Sequence, residues 1–261
     1  MIVDPVLKFE AQGHYVSLRY HEPRLQPMKR GSTRGRVTTF SRKSRKRLLE
    51  KTARLDLAGI VKRKPIVFLT LTYGQNFPKP KQAKVHLRTL LKRIARLSPE
   101  ASGIWRMEFQ DRGAPHFHII LFNLPFISKE VVKTIWGEII GIEYWDTSKE
   151  EAQEPFTRIE AIRNPRKAMA YVSKYVAKRP DESSGFNHVP YLTAGENVGR
   201  LWGVFNGKAL PFAELCKYTI QLSRDIAHPV LWQYKRLMSN QWKFANRSGR
   251  FKGASLFVDY V

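Results

Sequence analysis

The sequence predicts an α+β fold, a central antiparallel β-sheet with helices packed mainly on one face, and two observations carry that reading. Three runs, "KPIVFLTLTYG" (64–74), "IWRMEFQ" (104–110) and "HFHIILF" (116–122), are β-rich, and only "DRGAP" separates the last two, which favours an antiparallel hairpin. Segments with helical periodicity lie between and after these runs, in an order that suits an α+β sheet and not a doubly wound one.

Taken in order, residues 1–28 contain one candidate strand, "HYVSLRY", between polar and Pro-containing pieces. Residues 29–54 carry eleven Lys/Arg and one acidic residue, Glu50. From Ser41 onward the composition is helix-forming, with Leu48, Leu49, Ala53, Leu55 and Leu57 as an imperfect apolar stripe. A basic helix here suits a phosphate backbone, contacted by Arg42, Lys43, Arg45, Lys46 and Arg47; a solvated arm is the alternative.

In 64–74, Val67, Leu69, Leu71 and Tyr73 point one way and Ile66, Phe68, Thr70 and Thr72 the other, as in a central strand. Over 80–97, Ala83, Leu87, Leu90, Leu91, Ile94 and Leu97 recur at helical spacing, so a helix covers one sheet face and leaves the other free. His86 on this helix is expected at the surface. Ser128 is placed to cap a helix through Val132, Trp136 and Ile140; the third residue after it is Val131, so a simple hydroxyl cap is expected and not a capping box. "FTRIEAI" (156–162) reads as a further strand, and Asn164-Pro165 as a helix start. Another helix is expected within 208–228, inside an accessory region over 180–261.

Composition narrows the function. Across 261 residues, 46 Lys+Arg against 22 Asp+Glu give a formal net charge of +24, which attracts polyanions and makes nucleic acid the leading partner. The single cysteine, Cys216, cannot form an intrachain disulfide or a thiolate cluster. No apolar run approaches the roughly 18 residues of a membrane span, so no membrane partner is expected. These features suit an intracellular protein, in the host cytoplasm and nucleoid-associated in a prokaryote.

Two constellations carry chemistry. A two-residue period puts His116 and His118 on one face of their strand and Phe117, Ile119 and Leu121 on the other. Arg106, Glu108 and Gln110 share a face of the preceding run, and folding back around 111–115 brings Glu108 toward His118. Two imidazoles and a carboxylate leave open positions on a divalent cation, and without thiolates Mg²⁺ or Mn²⁺ is favoured over structural zinc. Glu108 could instead answer Arg106 or Arg112 in a surface ion pair.

The second constellation is "AMAYVSKYVAK". At roughly 100° per residue, Tyr175 lies about 40° from Tyr171, with Lys174 and Lys178 on the same side and Val172 and Val176 on another. The apolar stripe can therefore be buried without consuming the tyrosines. A tyrosine hydroxyl, with an ordinary pKa of about 10, becomes a nucleophile when its phenolate is stabilised, here by lysine and a nearby metal. The alternative is amphipathic tyrosines at a core edge beside surface lysines.

On these residues the sequence resembles the HUH endonucleases that initiate rolling-circle replication, in particular the replication-associated proteins of single-stranded DNA phages and related plasmids. "FLTLTY" (68–73), "PHFHIIL" (115–121) and "YVSKYVAK" (171–178) are similar to three of their motifs in order, and "GRLWGVF" (199–205) to a downstream segment. The resemblance implies a ferredoxin-like or palm-type core over 61–179, with a basic extension over 1–60. It further implies metal held by Glu108, His116 and His118, and nicking of single-stranded or hairpin origin DNA by Tyr171 or Tyr175, aided by Lys174 and Lys178. Arg106 and Arg112 would contact DNA. There is no Walker loop, so a separate helicase is expected beside a DNA polymerase. A mobilisation relaxase or single-strand transposase would use the same chemistry, and a noncatalytic single-stranded DNA-binding module is the reading from another class.

Overall fold

The computed structural model describes residues 6–21, 37, 40–125, 127–145, 157–164, 198–221, 229 and 256–258. Its elements in chain order are β1 (Val6–Gln12), β2 (Tyr15–His21), α1 (Arg42–Ala53), α2 (Leu57–Arg63), β3 (Ile66–Leu71), α3 (Pro80–Leu97), β4 (Ser102–Phe109), β5 (Pro115–Phe122), α4 (Lys129–Ile140), β6 (Thr157–Ile162), β7 (Trp202–Phe205), β8 (Leu215–Gln221) and β9 (Leu256–Val258). The chain divides into two units, the larger comprising 34–49 and 56–211 and the smaller 1–33, 50–55 and 212–261.

The larger unit is built on a five-stranded sheet in the order β6-β3-β5-β4-β7, every pair antiparallel. Within it the succession β3-α3-β4-β5-α4-β6 is two interleaved β-α-β units, the ferredoxin-like arrangement, and β7 extends the sheet beyond β4. Both helices lie on the face shown by Val67, Leu69, Leu71 and Tyr73. Tyr73 fixes this: its hydroxyl is 3.2 Å from His86 Nδ1 on α3, and its ring is 5.5 Å from that of Trp136 on α4. Ala83, Leu87, Leu90 and Ile94 of α3, Trp136 and Ile140 of α4, and Phe117, Ile119 and Leu121 of β5 complete the core, none more than 3 % exposed.

Local chemistry explains the element ends. Asp56 caps α2 by accepting from Gly59 N–H, and Ser128 caps α4 by accepting from Val131 N–H, the simple hydroxyl cap expected. The segment "GRLWGVF" supplies β7, where Gly203 pairs with Trp105. A Cβ at Gly203 would sit 2.6 Å from the Trp105 ring, so glycine is needed for the indole to lie across the strand.

The smaller unit holds a four-stranded sheet, β8-β1-β2-β9. β1 and β2 form a hairpin turning at Gly13, whose φ of +58° suits glycine and where a Cβ would meet Ala53 O at 2.8 Å. The single strand expected near the N-terminus is therefore one of two. The helix expected within 208–228 is corrected: 207–209 form a 3₁₀ turn and 215–221 form β8, paired along its length with β1. "LCKYTIQ" alternates Cys216, Tyr218 and Ile220 with Lys217, Thr219 and Gln221, and that period-two pattern prevailed.

His86 is also corrected. It is 7 % exposed, packed against Tyr73 and Trp136, whereas Leu97, expected in the apolar stripe, is 59 % exposed at the end of α3. The helix expected from Pro165, with Tyr171, Lys174, Tyr175 and Lys178, lies outside the described residues.

Candidate functional site

Register assembles the site. Pairing Thr70 with His118 and with Arg158, and His118 with Arg106, puts Arg158, Thr70, His118 and Arg106 in one row across four strands, on the face away from α3 and α4. The next row places His116 directly across from Glu108. The two imidazoles stand edge to face with ring centroids 4.5 Å apart, and His118 Nε2 is 3.5 Å from Glu108 Oε2. Glu108, His116 and His118 are thus brought together, as the sequence expected.

Their hydrogen bonds differ from that expectation. Glu108 Oε1 is 2.8 Å from Arg106 Nη2, and both side chains are at most 10 % exposed. Arg106, expected on DNA, is instead a buried partner of Glu108, with its guanidinium 4.5 Å above the Phe40 ring. Burial works to raise the Glu108 pKa, but the hydrogen bond from His118 and the Arg106 charge outweigh it and hold the carboxyl below its ordinary value. Burial drives His116 down to about 4, helped by the neighbouring His118 and Arg112 and opposed by Glu108, so this imidazole is neutral at pH 7.

Each histidine faces a threonine of β3 or the residue just beyond it. Thr72 Oγ1 and His116 Nδ1 share a hydrogen bond of 2.6 Å, and Thr70 Oγ1 stands 3.5 Å from His118 Nδ1. The face assignment of Thr70 and Thr72 was legible from alternation. Their partnership with the histidines needed the strand register.

Beside them opens a cleft of about 720 Å³, lined among others by Thr72, Gln75, Arg112, His116 and Arg158. Arg112 is tied to the chain: its guanidinium donates to the carbonyls of Tyr73 and Gly74 and to Gln110 Oε1, so it fixes the loop after β3 while carrying positive charge into the cleft wall. Arg158, which sequence reasoning missed, pairs with Glu160 and has a side chain 71 % exposed. On α1, Arg42, Lys43 and Arg47 are exposed, whereas Arg45 and Lys46 are half-buried. Ser44 of α1 accepts from Trp202 Nε1 at 2.9 Å, which holds this end of the helix near β7.

The donor chemistry suits a divalent cation, with two imidazoles and a carboxylate side by side. The placement is not yet that of a closed metal site. Among the described residues no group of three His, Cys, Asp or Glu side chains is arranged to hold a metal ion, and Arg106 already engages Glu108.

A ferredoxin-like sheet that turns a polar, histidine-bearing face away from its helices, in a strongly basic chain, defines a class: an α+β protein with a candidate nucleic-acid site on the open sheet face. Residues 66–180 match the family model of the ORF2-type Replication-associated protein, a span that contains β3 through β6 and the histidine pair. The match supports a role in DNA replication. No curated protein and no solved structure matches the chain. Among the described residues no helix is long and apolar enough to cross a membrane.

Proposed function

We propose that the chain initiates rolling-circle replication as an HUH-type endonuclease, nicking single-stranded or hairpin origin DNA and retaining the 5′ phosphate on tyrosine. The observation that carries this reading is the juxtaposition of His116, His118 and Glu108 on the open sheet face, within the segment that matches the replication-associated family. Mg²⁺ or Mn²⁺, bound there, would polarise the scissile phosphodiester. His116 and His118 would be its donors, with Glu108 joining on release from Arg106. Arg112 and Arg158 give the cleft the charge to seat a phosphate. Tyr171 and Tyr175 supply the nucleophiles, and Lys174 and Lys178 favour the phenolate. A helicase and a DNA polymerase act as separate partners.

The test incubates the full chain with candidate single-stranded origins and Mg²⁺ or Mn²⁺. The expected product is a protein–DNA adduct that survives denaturation, with a free 3′-hydroxyl on the other strand end. His116→Ala and His118→Ala should each remove most nicking while largely preserving DNA affinity, because charge and surface area remain. Tyr175→Phe should block the first nick, whereas Tyr171→Phe should permit it and impair strand transfer. Reversible binding alone, with no adduct on any origin, would establish the noncatalytic module instead.

A further inference from the structure

The residue that follows the last position of β3 is held more tightly than a strand end needs. Trp136 Nε1 donates to Thr72 O at 3.2 Å, the Tyr73 hydroxyl meets His86 Nδ1, and Gly74 N–H donates to Tyr144 O at 2.7 Å. From the hairpin side, Arg112 donates to the carbonyls of Tyr73 and Gly74. Groups from α3, α4, the turn after α4 and the β4–β5 loop therefore immobilise three consecutive residues. Thr72 is 8 % exposed, and its side chain is the one among the three that points to the histidine face, where it meets His116 Nδ1 at 2.6 Å.

We infer that Thr72 is a positioning residue for His116: its hydroxyl accepts from Nδ1–H, which fixes the ring and the tautomer and leaves the Nε2 lone pair as the donor presented to the site. The inference rests on the proposed nicking site for its purpose, but the hydrogen bond stands on its own geometry. An imidazole offers a lone pair at only one nitrogen, and the partner of the other nitrogen decides which. A hydroxyl oxygen can accept as well as donate, so the bond alone leaves the tautomer open. Nδ1–H is assigned because Nδ1 faces Thr72, so Nε2 is the nitrogen left to bind a cation. The companion pair, Thr70 with His118 at 3.5 Å, repeats the relation one step along both strands. "TLT" and "HFH" are thus registered against each other, hydroxyl to imidazole, and partners of this kind orient metal-binding histidines.

The experiment uses the full chain labelled with ¹⁵N-histidine, without metal, at pH 7, and reads the His116 tautomer from long-range proton–nitrogen correlations. The expected wild-type pattern is protonated Nδ1 and unprotonated Nε2. Thr72→Val keeps the shape and removes the hydroxyl; it should lose that tautomer preference and lower Mn²⁺ affinity, followed by paramagnetic resonance, about 10- to 100-fold. Thr72→Ser should restore both. Wild-type His116 protonated at Nε2 would overturn the inference, and this reading needs no variant to fold. So would Thr72→Val with unchanged tautomer and unchanged Mn²⁺ affinity. A wild type with the expected tautomer, lost in Thr72→Val and regained in Thr72→Ser, but with no Mn²⁺ bound and no DNA adduct, would uphold the Thr72 assignment and count against the nicking reading.

Discussion

Arg106 and Glu108 show how burial changes the meaning of a residue. At the surface their pairing would be worth little, but with side chains 5 % and 10 % exposed each charge depends on the other. Arg106→Ala would leave a carboxylate in a desolvated site with His118 as its remaining close partner, at a cost of about 3–5 kcal/mol. Arg158→Ala, which removes an arginine 71 % exposed, should cost no more than about 1 kcal/mol. Urea unfolding of the two variants compares them directly, and equal midpoints would mean that the Arg106 pair is solvated. The same pair bears on the site: while Arg106 holds Oε1, Glu108 has one oxygen left facing His118.

At the scale of elements, α3 carries a second buried polar group with a measurable consequence. Burial draws the Lys84 pKa down to about 8 from 10.5, and its Nζ donates to Val198 O. Between about pH 8 and 10.5 the unfolded chain holds a proton there that the native chain has given up, so this residue's contribution to stability rises with pH through that window. Below it, the folded state bears the cost of a buried cation. The stability advantage of Lys84→Met over wild type should therefore shrink from pH 8 to 10.5 in denaturant titrations; a constant difference would show that Lys84 is solvated. Such elements were legible in the sequence to differing degrees. The two faces of β3, the β4–β5 hairpin and the Ser128 cap followed from period-two alternation, turn residues and a hydroxyl before an apolar helix. Register did not, because alternation fixes which face a residue takes but not which residue it meets, and so Thr72 beside His116 and Arg106 on Glu108 emerged only in three dimensions. β8 was misread because a short mixed segment supports both periods, and pairing with β1 decided it. His86 was misread because it borders the apolar stripe of α3, where the rings of Tyr73 and Trp136 enclose it.

For the whole molecule, the question is whether a net charge of +24 acts as a diffuse field or through a particular surface. The fold supplies an internal control. α1 presents Arg42, Lys43 and Arg47 to solvent beside a sheet face that carries the histidines, while α3 presents Arg88, Lys92 and Arg96 from the layer on the opposite face. Changing each set of three to Gln removes the same charge from opposite sides of one sheet. If single-stranded DNA crosses the histidine face, the α1 triple should reduce the slope of log affinity against log salt by about 0.7 for each phosphate no longer neutralised, up to about 2, with little change from the α3 triple. The loss should be greatest at low salt, and nicking at saturating DNA should persist because no reacting group is touched. Equal slope changes in the two triples would mean that the charge acts only as a field. A larger change from α3 would place the DNA on the helical layer, where no histidine pair could reach it.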